Sequence, residues 1–386
     1  MQPRRLLSWL ATLVAATGLP YIVFAALAVV WDPDGSPAEK SHDHLPSVSV
    51  VLPTYNEADI VESKLQSVCA WDYPMDRVEL VVVDSSTDDT PELIESFFAD
   101  RVTPELTLLR EPERRGLAVA LNEAYAAADN EVVVKTDCDS RVAADAVREA
   151  TANLADPDVA AVTGRNAEVL GGSGVERGYR DVQARIQRLE SHLDSTFVFH
   201  GPFSAFERDA IQPIDEDSIA DDTELALEIR RAGSRVVFDP AIRYKEASHS
   251  AFRKRRSQKD RRAMGLLRLL WRQRDALFRP QYGLYGSVVL PFNWWFTVVS
   301  PWLVAAGVAL AVLIGALVAG PVGAAVVPVA LYGLVAAGSR DALGDLQPLY
   351  SLFDTQVSLF RASLKLLAGD GDGLWEVDDE LREVYD

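Results

Sequence analysis

The chain is poor in cysteine. It has two in 386 residues, Cys69 and Cys138, in separate contexts and with no C-x-x-C spacing. That leaves no basis for a disulfide framework or a zinc site. Both cysteines read as small buried apolar residues. Positive charge is also short: 38 Lys and Arg against 57 Asp and Glu give a net charge of −19. Nucleic-acid binding needs the opposite balance, so no nucleic-acid partner is expected. The acidic balance is compatible with a high-salt cytoplasm. No G-x-G-x-x-G follows the first strand, which argues against a dinucleotide-dependent oxidoreductase. Charge of either sign is missing from Leu6 to Trp31 and again from Pro280 to Ser339.

Those two gaps organise the chain. At roughly 1.5 Å per residue the first run is long enough to span a bilayer core. A secretory signal is the competing reading, with Ala26-Leu27-Ala28 as the cleavage site. The run is longer than a usual signal core, which favours a retained anchor over residues 1–31. The second gap, 60 residues, accommodates two passes over 280–340, turning at Gly320-Pro321. Trp294, Trp295 and Trp302 suit a membrane interface. Just before it, Arg253 to Arg274 holds ten Lys or Arg and a single acid, Asp260. This basic stretch (253–279) predicts an interfacial helix and, by the positive-inside rule, a cytoplasmic face for the soluble domain. Arg4 and Arg5 pull the other way. Leu346 to Gly369 is apolar with Asp354, Ser358, Arg361 and Lys365 on one helical face, which predicts that residues 341–369 form a helix lying in the interface. The 32–46 segment reads as a linker and 370–386 as an acidic tail, mobile apart from Trp375. The expected location is the cell membrane, multi-pass, with membrane lipids as partners.

Between linker and basic stretch, strand and helix alternate. Ser47 to Leu52 is a strand stopped by Pro53. Ala58 to Ala70 has helical spacing. Val78 to Asp84 is a second strand, and Pro91 opens a helix capped by Thr90. Leu106 to Leu109 is a third strand, and Leu117 to Ala128 a helix. Val132-Val133-Val134 is a fourth strand, ending in Asp137 and Asp139. This alternation predicts a mostly parallel α/β sheet with helices on both faces. Further on come a strand at Val159 to Arg165, a flexible loop at Gly171 to Gly174 and a helix from Val175 to Leu193. A strand and turn then surround Gly201-Pro202. Thr223 to Ala232 is a helix ended by Gly233, and Arg235 to Phe238 a short strand. Asp137 and Asp139 at a sheet's carboxyl edge suit Mg2+ or Mn2+ shared with phosphate, or else form an Asx-type turn. Asp221 and Asp222 at a helix start are either functional acids or caps favoured by the helix dipole.

The order of these motifs resembles the family 2 glycosyltransferases, whose domain has the GT-A fold, here over residues 47–252. The motifs are Val51-Leu52-Pro53-Thr54-Tyr55-Asn56-Glu57, Val83-Asp84, Asp137-Cys138-Asp139, Ala220-Asp221-Asp222-Thr223-Glu224 and Gln258-Lys259-Asp260-Arg261-Arg262. The resemblance implies a membrane-bound, inverting transferase that takes a nucleotide sugar. Pro53, Tyr55, Glu57, Asp84, Arg115, Asp137, Gln258 and Arg261 would contact the donor. Asp139 and Asp137 would hold Mn2+ or Mg2+. Asp222 would be the general base, with Asp221 beside it. The acceptor would be a polyprenyl or dolichyl phosphate, another lipid-linked group, or a growing glycan. Two departures stand out. Leu117 takes the place of a frequent lysine, so a phosphate contact there falls to Arg114 or Arg115. Arg262 replaces the tryptophan of QxxRW, which weighs against long-chain polymerisation. A processive polysaccharide synthase and a non-catalytic scaffold are the rival expectations.

Overall fold

The computed structural model describes residues 3–30, 35–170, 177–247 and 252–369. The expected tail 370–386, the Gly171–Gly174 loop and residues 31–34 at the start of the linker lie outside them.

Four strands form the first half of the sheet: β1 (Val48–Thr54), β2 (Val78–Asp84), β3 (Glu105–Arg110) and β4 (Val132–Lys135), in spatial order β3-β2-β1-β4, all parallel. The valine and leucine runs of β1, β2 and β4 are buried on both faces, as a sheet covered twice requires, while β3 at the edge is half-buried. Alternate residues serve different cores. Val50, Leu52, Leu80, Val82, Val132 and Val134 pack on one side with α2 (Val61–Cys69), α3 (Thr90–Phe98) and the later α5 (Ala146–Asn153). Val51, Val81, Val83 and Val133 pack on the other with α4 (Leu117–Ala127) and α7 (Asp221–Ala232). The two-residue period of a strand produces this division.

The sheet continues as β7 (Ser204–Glu207), β6 (Val159–Leu170), β8 (Arg235–Ala247) and β5 (Ser140–Val142). It is therefore mixed rather than mostly parallel. β7 runs antiparallel to β4 and β6, and β5 antiparallel to β8. β7 starts opposite the carboxyl end of β4, with Ser204 beside Lys135, and so runs back along it. β8 is also longer than its sequence signal, continuing through Pro240 with register shifts against β6.

α6 (Arg177–Leu193) links the sheet to a helical layer. α1 (Pro3–Val30) packs beside a long helical stretch from Tyr285 through α9 (Leu290–Trp294) into α10 (Ser300–Gly338). Phe24 of α1 stacks on Phe292 with ring centroids 3.7 Å apart, and Trp295 Nε1 donates to Ala16 O. α10 breaks at Ala319 and Gly320, where φ is +61° at the glycine, and doubles back. Gly315 and Gly323 then meet so closely that neither has room for a Cβ. Arg4–Phe24 and Tyr285–Gly338 are long and apolar enough to cross a membrane, by length and composition.

α8 (Phe252–Arg272) and α11 (Gln347–Ala368) pack together. The polar stripe of α11 is split: Asp354 and Ser358 are buried, while Arg361 and Lys365 are partly exposed. Asp354 accepts from Arg256 and from Lys259 Nζ at 3.1 Å, while Arg361 Nε reaches Asp260 at 3.1 Å. The stripe that reads in sequence as a headgroup-facing surface is thus mostly an ion-paired seam between two helices.

Candidate active site

Asp84 ends β2, where its carboxylate meets the end of β1. Oδ1 accepts from Thr54 Oγ1 at 2.7 Å and Ser86 Oγ at 2.6 Å, and Oδ2 from Ser86 N at 3.2 Å. The residue is 2% exposed. Asn56 takes the left-handed conformation (φ +54°) and its Oδ1 accepts from Thr87 N at 2.8 Å, tying the two strand ends together. Tyr55 stands half-buried at the same edge, with the Arg114 guanidinium 4.0 Å from its ring centre. Pro53 is half-buried within β1 and Glu57 is buried, its backbone N–H donating to Thr90 Oγ1. Arg115 is drawn elsewhere: it is exposed and pairs with Glu111 at 2.7 Å and Glu123 at 2.6 Å. Arg114, not Arg115, lies over the aromatic ring.

The second cluster centres on a residue that sequence patterning does not single out. Lys135 ends β4, and its side chain is 2% exposed. Its Nζ lies 2.8 Å from Asp137 Oδ1, 3.3 Å from Asp222 Oδ2 and 3.9 Å from Asp221 Oδ2. α7 begins at Asp221, two residues earlier than its sequence pattern, and points its N-terminus into this group. Burial works against charge on Lys135, yet Asp137, Asp222 and Asp221 hold it protonated well above the usual lysine range. Burial first, then the neighbouring Asp221, pushes the Asp222 carboxyl up to about 7. Asp221 Oδ2 and Asp222 Oδ1 are closed off from solvent and accept no hydrogen bond.

Backbone completes the enclosure. A Cβ on Gly201 would sit 2.7 Å from Asp137 Oδ2, 3.0 Å from Lys135 Nζ and 3.1 Å from Asp222 Oδ2. Only glycine lets the loop approach so closely. The next residue, Pro202, accepts from Thr136 Oγ1 at 2.8 Å. Lys64 lies beneath, 1% exposed, donating to Thr136 Oγ1, Ser140 O and Ser140 Oγ at 2.8–3.1 Å. Burial pushes its ammonium down to about 7. His200, beside the glycine, is driven down to about 4 by burial and is neutral; its Nε2 lies 3.0 Å from Gln187 Oε1.

Asp139 is half-buried in the loop between β4 and β5. Arg261, half-buried on α8, lies within electrostatic reach of Asp221, Asp137 and Asp139. Gln258 is three residues earlier on α8 and also half-buried. The structure therefore gathers Asp137, Asp221 and Asp222 tightly, with Arg261 near them. Asp84 and Tyr55 lie at the ends of the neighbouring strands. Among the described residues no three acid, imidazole or thiol groups form a complete metal cage. The donors fit a hard divalent cation that takes its remaining ligands from a diphosphate: two carboxylates on one loop, plus oxygens without hydrogen bonds at the head of α7.

Lys135 and Lys64 carry a signal of their own. A lysine closing a three-valine strand, and one on the apolar face of α2 beside Val61, Leu65 and Val68, both sit where lysine is otherwise rare.

Four parallel strands, a mixed second half and acids gathered at the shared carboxyl edge define the GT-A glycosyltransferase fold. The family model "Glycosyl transferase family 2" matches residues 49–215, and the chain belongs to that family. The mannosyltransferase PcManGT from Pyrobaculum calidifontis, solved with GDP-Man and Mn2+, is 31% identical with a TM-score of 0.79, covering 94% of this chain and 99% of that one. Poly-beta-1,6-N-acetyl-D-glucosamine synthase of Staphylococcus aureus strain MSSA476 is 28% identical over 207 residues, 51% of this chain and 49% of that protein. The Staphylococcus epidermidis synthase is 26% identical over 213 residues. The chain thus spans about half the length of the curated relatives it matches.

Proposed function

We propose that this chain is a membrane-anchored, inverting glycosyltransferase that moves one hexose from a nucleotide donor to a lipid-linked acceptor, with GDP-mannose as the first donor to test. The observation that carries this is the juxtaposition of Asp137 and Asp222 around Lys135 at the carboxyl edge that also bears Asp84. The likeness to PcManGT supports GDP-mannose and Mn2+. The apolar helices α1 and α10 support anchoring and a lipid-linked acceptor, with the catalytic domain on the cytoplasmic side.

In this reading Tyr55 and Arg114 flank the nucleobase, and Asp84 Oδ2, which accepts one hydrogen bond, takes another from ribose or base. Asp139 and Asp137 would hold Mn2+ or Mg2+, which would supply positive charge against the diphosphate leaving group. Gln258 and Arg261 approach the same phosphates from α8. Asp222 accepts the proton of the acceptor hydroxyl or phosphate, and the sugar inverts because a single displacement needs no protein nucleophile. Asp221 keeps the base in a crowded negative field, which raises its proton affinity.

The test is purified protein with GDP-mannose and other nucleotide sugars, Mn2+ or Mg2+, and polyprenyl phosphate. Single additions are expected. Asp222→Asn should abolish transfer and keep donor binding; near wild-type turnover in that variant removes the mechanism. A ladder of product lengths would instead favour the polysaccharide-synthase reading, which the staphylococcal relatives motivate.

A further inference from the structure

The two carboxylate pairs of the site, Asp137 with Asp139 and Asp221 with Asp222, belong to different halves of the domain. One side chain touches both. Lys135 Nζ lies within 3.3 Å of Asp137 and Asp222 and 3.9 Å of Asp221. A buried ion pair that only stabilises a fold is normally balanced, each oxygen and each N–H satisfied. This one is not. Three carboxylates share one ammonium, and two of their enclosed oxygens accept no hydrogen bond. The lysine is enclosed: β4 is buried along its length, and Gly201 lies so close that a Cβ there would meet the ammonium at 3.0 Å. The cluster therefore has spare acceptor capacity, and its nearest positive charge sits on a carboxylate expected to bind metal.

From this we infer that Lys135 is a resident counter-ion that competes with the divalent cation for Asp137 and keeps Asp222 aligned on the same centre. Lys135 is a positioning residue: it acts through the two acids and not on the sugar. It sets how much cation the cleft takes up before the donor diphosphate contributes its own ligands. Without donor, the lysine satisfies Asp137 and metal binding is weak. With donor, diphosphate oxygens add ligands and outweigh the lysine's claim. Lys135 thereby couples metal binding to donor binding.

The inference rests on the metal-dependent reading above, so the experiment separates the two. Mn2+ is titrated into the full-length protein by calorimetry at pH 8, with and without GDP, for wild type, K135M and K135Q. Thermal unfolding reports whether each variant is folded. In wild type, GDP should strengthen Mn2+ binding. In a folded K135M or K135Q variant, Mn2+ alone should bind on the order of tenfold tighter, since a unit charge a few ångströms from the ligand is gone. The enhancement by GDP should shrink by a similar factor. Unchanged or weaker Mn2+ binding in a folded variant overturns the inference while leaving metal dependence intact. If neither variant folds, the lysine is a structural ion-pair partner and the inference falls. If wild type binds no Mn2+ even with GDP, the metal-dependent reading itself fails.

Discussion

Gly201, Asp222 and Lys135 show how residue-scale geometry sets the chemistry. A methyl group on Gly201 would overlap the Asp137 carboxylate at 2.7 Å, so Gly201→Ala must move either the loop or the acid. Displacements near 1 Å at a reacting centre cost on the order of a hundredfold in rate, and kcat in Gly201→Ala should fall by that order. A wild-type kcat would remove the close approach from the mechanism. The Asp222 carboxyl, raised to about 7 by burial and then by Asp221, is protonated below that pH and cannot accept a proton. The rate should therefore fall as pH drops through about 7 and level off above it. A kcat profile still at its plateau about two units lower would assign the base elsewhere. Most of these acids are legible in sequence, because aspartate pairs after a valine strand and at a helix start fall where the carboxyl edge of an α/β sheet gathers its ligands. Lys135 is legible only through the rarity of a lysine closing a three-valine strand, since periodicity alone marks a strand-end lysine as exposed. Nor can sequence say which of two adjacent arginines, Arg114 or Arg115, is taken by Glu111 and Glu123.

At the scale of elements, the first four strands and their helices follow from alternation and from valine runs long enough to be unmistakable. β5 is invisible in sequence: three residues, Ser140–Val142, carry no period. β8 outruns its sequence signal because Pro240 usually ends a strand, yet its partner β6 accommodates the irregularity with register shifts. α11 is legible as a helix, but its polar stripe, expected toward lipid headgroups, faces α8. A helix wheel shows which residues share a face and never what the face meets. The seam has an energetic consequence. The Asp354 side chain is 7% exposed and shared by Arg256 and Lys259. Asp354→Ala removes the carboxylate from two cations at once, and the cost should be roughly 3 kcal/mol. A thermal midpoint in detergent lowered by several degrees is the expected reading, and an unchanged midpoint would show the seam to be energetically neutral.

For the whole molecule, charge and apolar length make two separate predictions. The chain should stay with the membrane fraction after an alkaline carbonate wash; release into the supernatant would show that α1 and α10 pack against protein instead. A net charge of −19 repels itself at low ionic strength. Molar KCl should therefore raise the unfolding midpoint, and a flat response would detach the acidic surface from any role in salt. The soluble half of the molecule is also fastened to its helical half. Asp194, which follows α6, accepts from Arg230 Nε on α7 at 2.9 Å and from Tyr285 N at 3.1 Å, where the long apolar helix starts. Arg230 in turn donates to Tyr282 O. Glu190 of α6 accepts from Asn293 Nδ2 at 2.7 Å.

That fastening works as a depth gauge. With α7 pinned through Asp194 to the root of the long helix, the base proposed at the head of α7 would stand at a set height over a bilayer crossed by that helix. Acceptors would then be graded by reach: a reactive oxygen carried at the matching level is served, and one on too short or too long a stalk is passed over, whatever sugar is on offer.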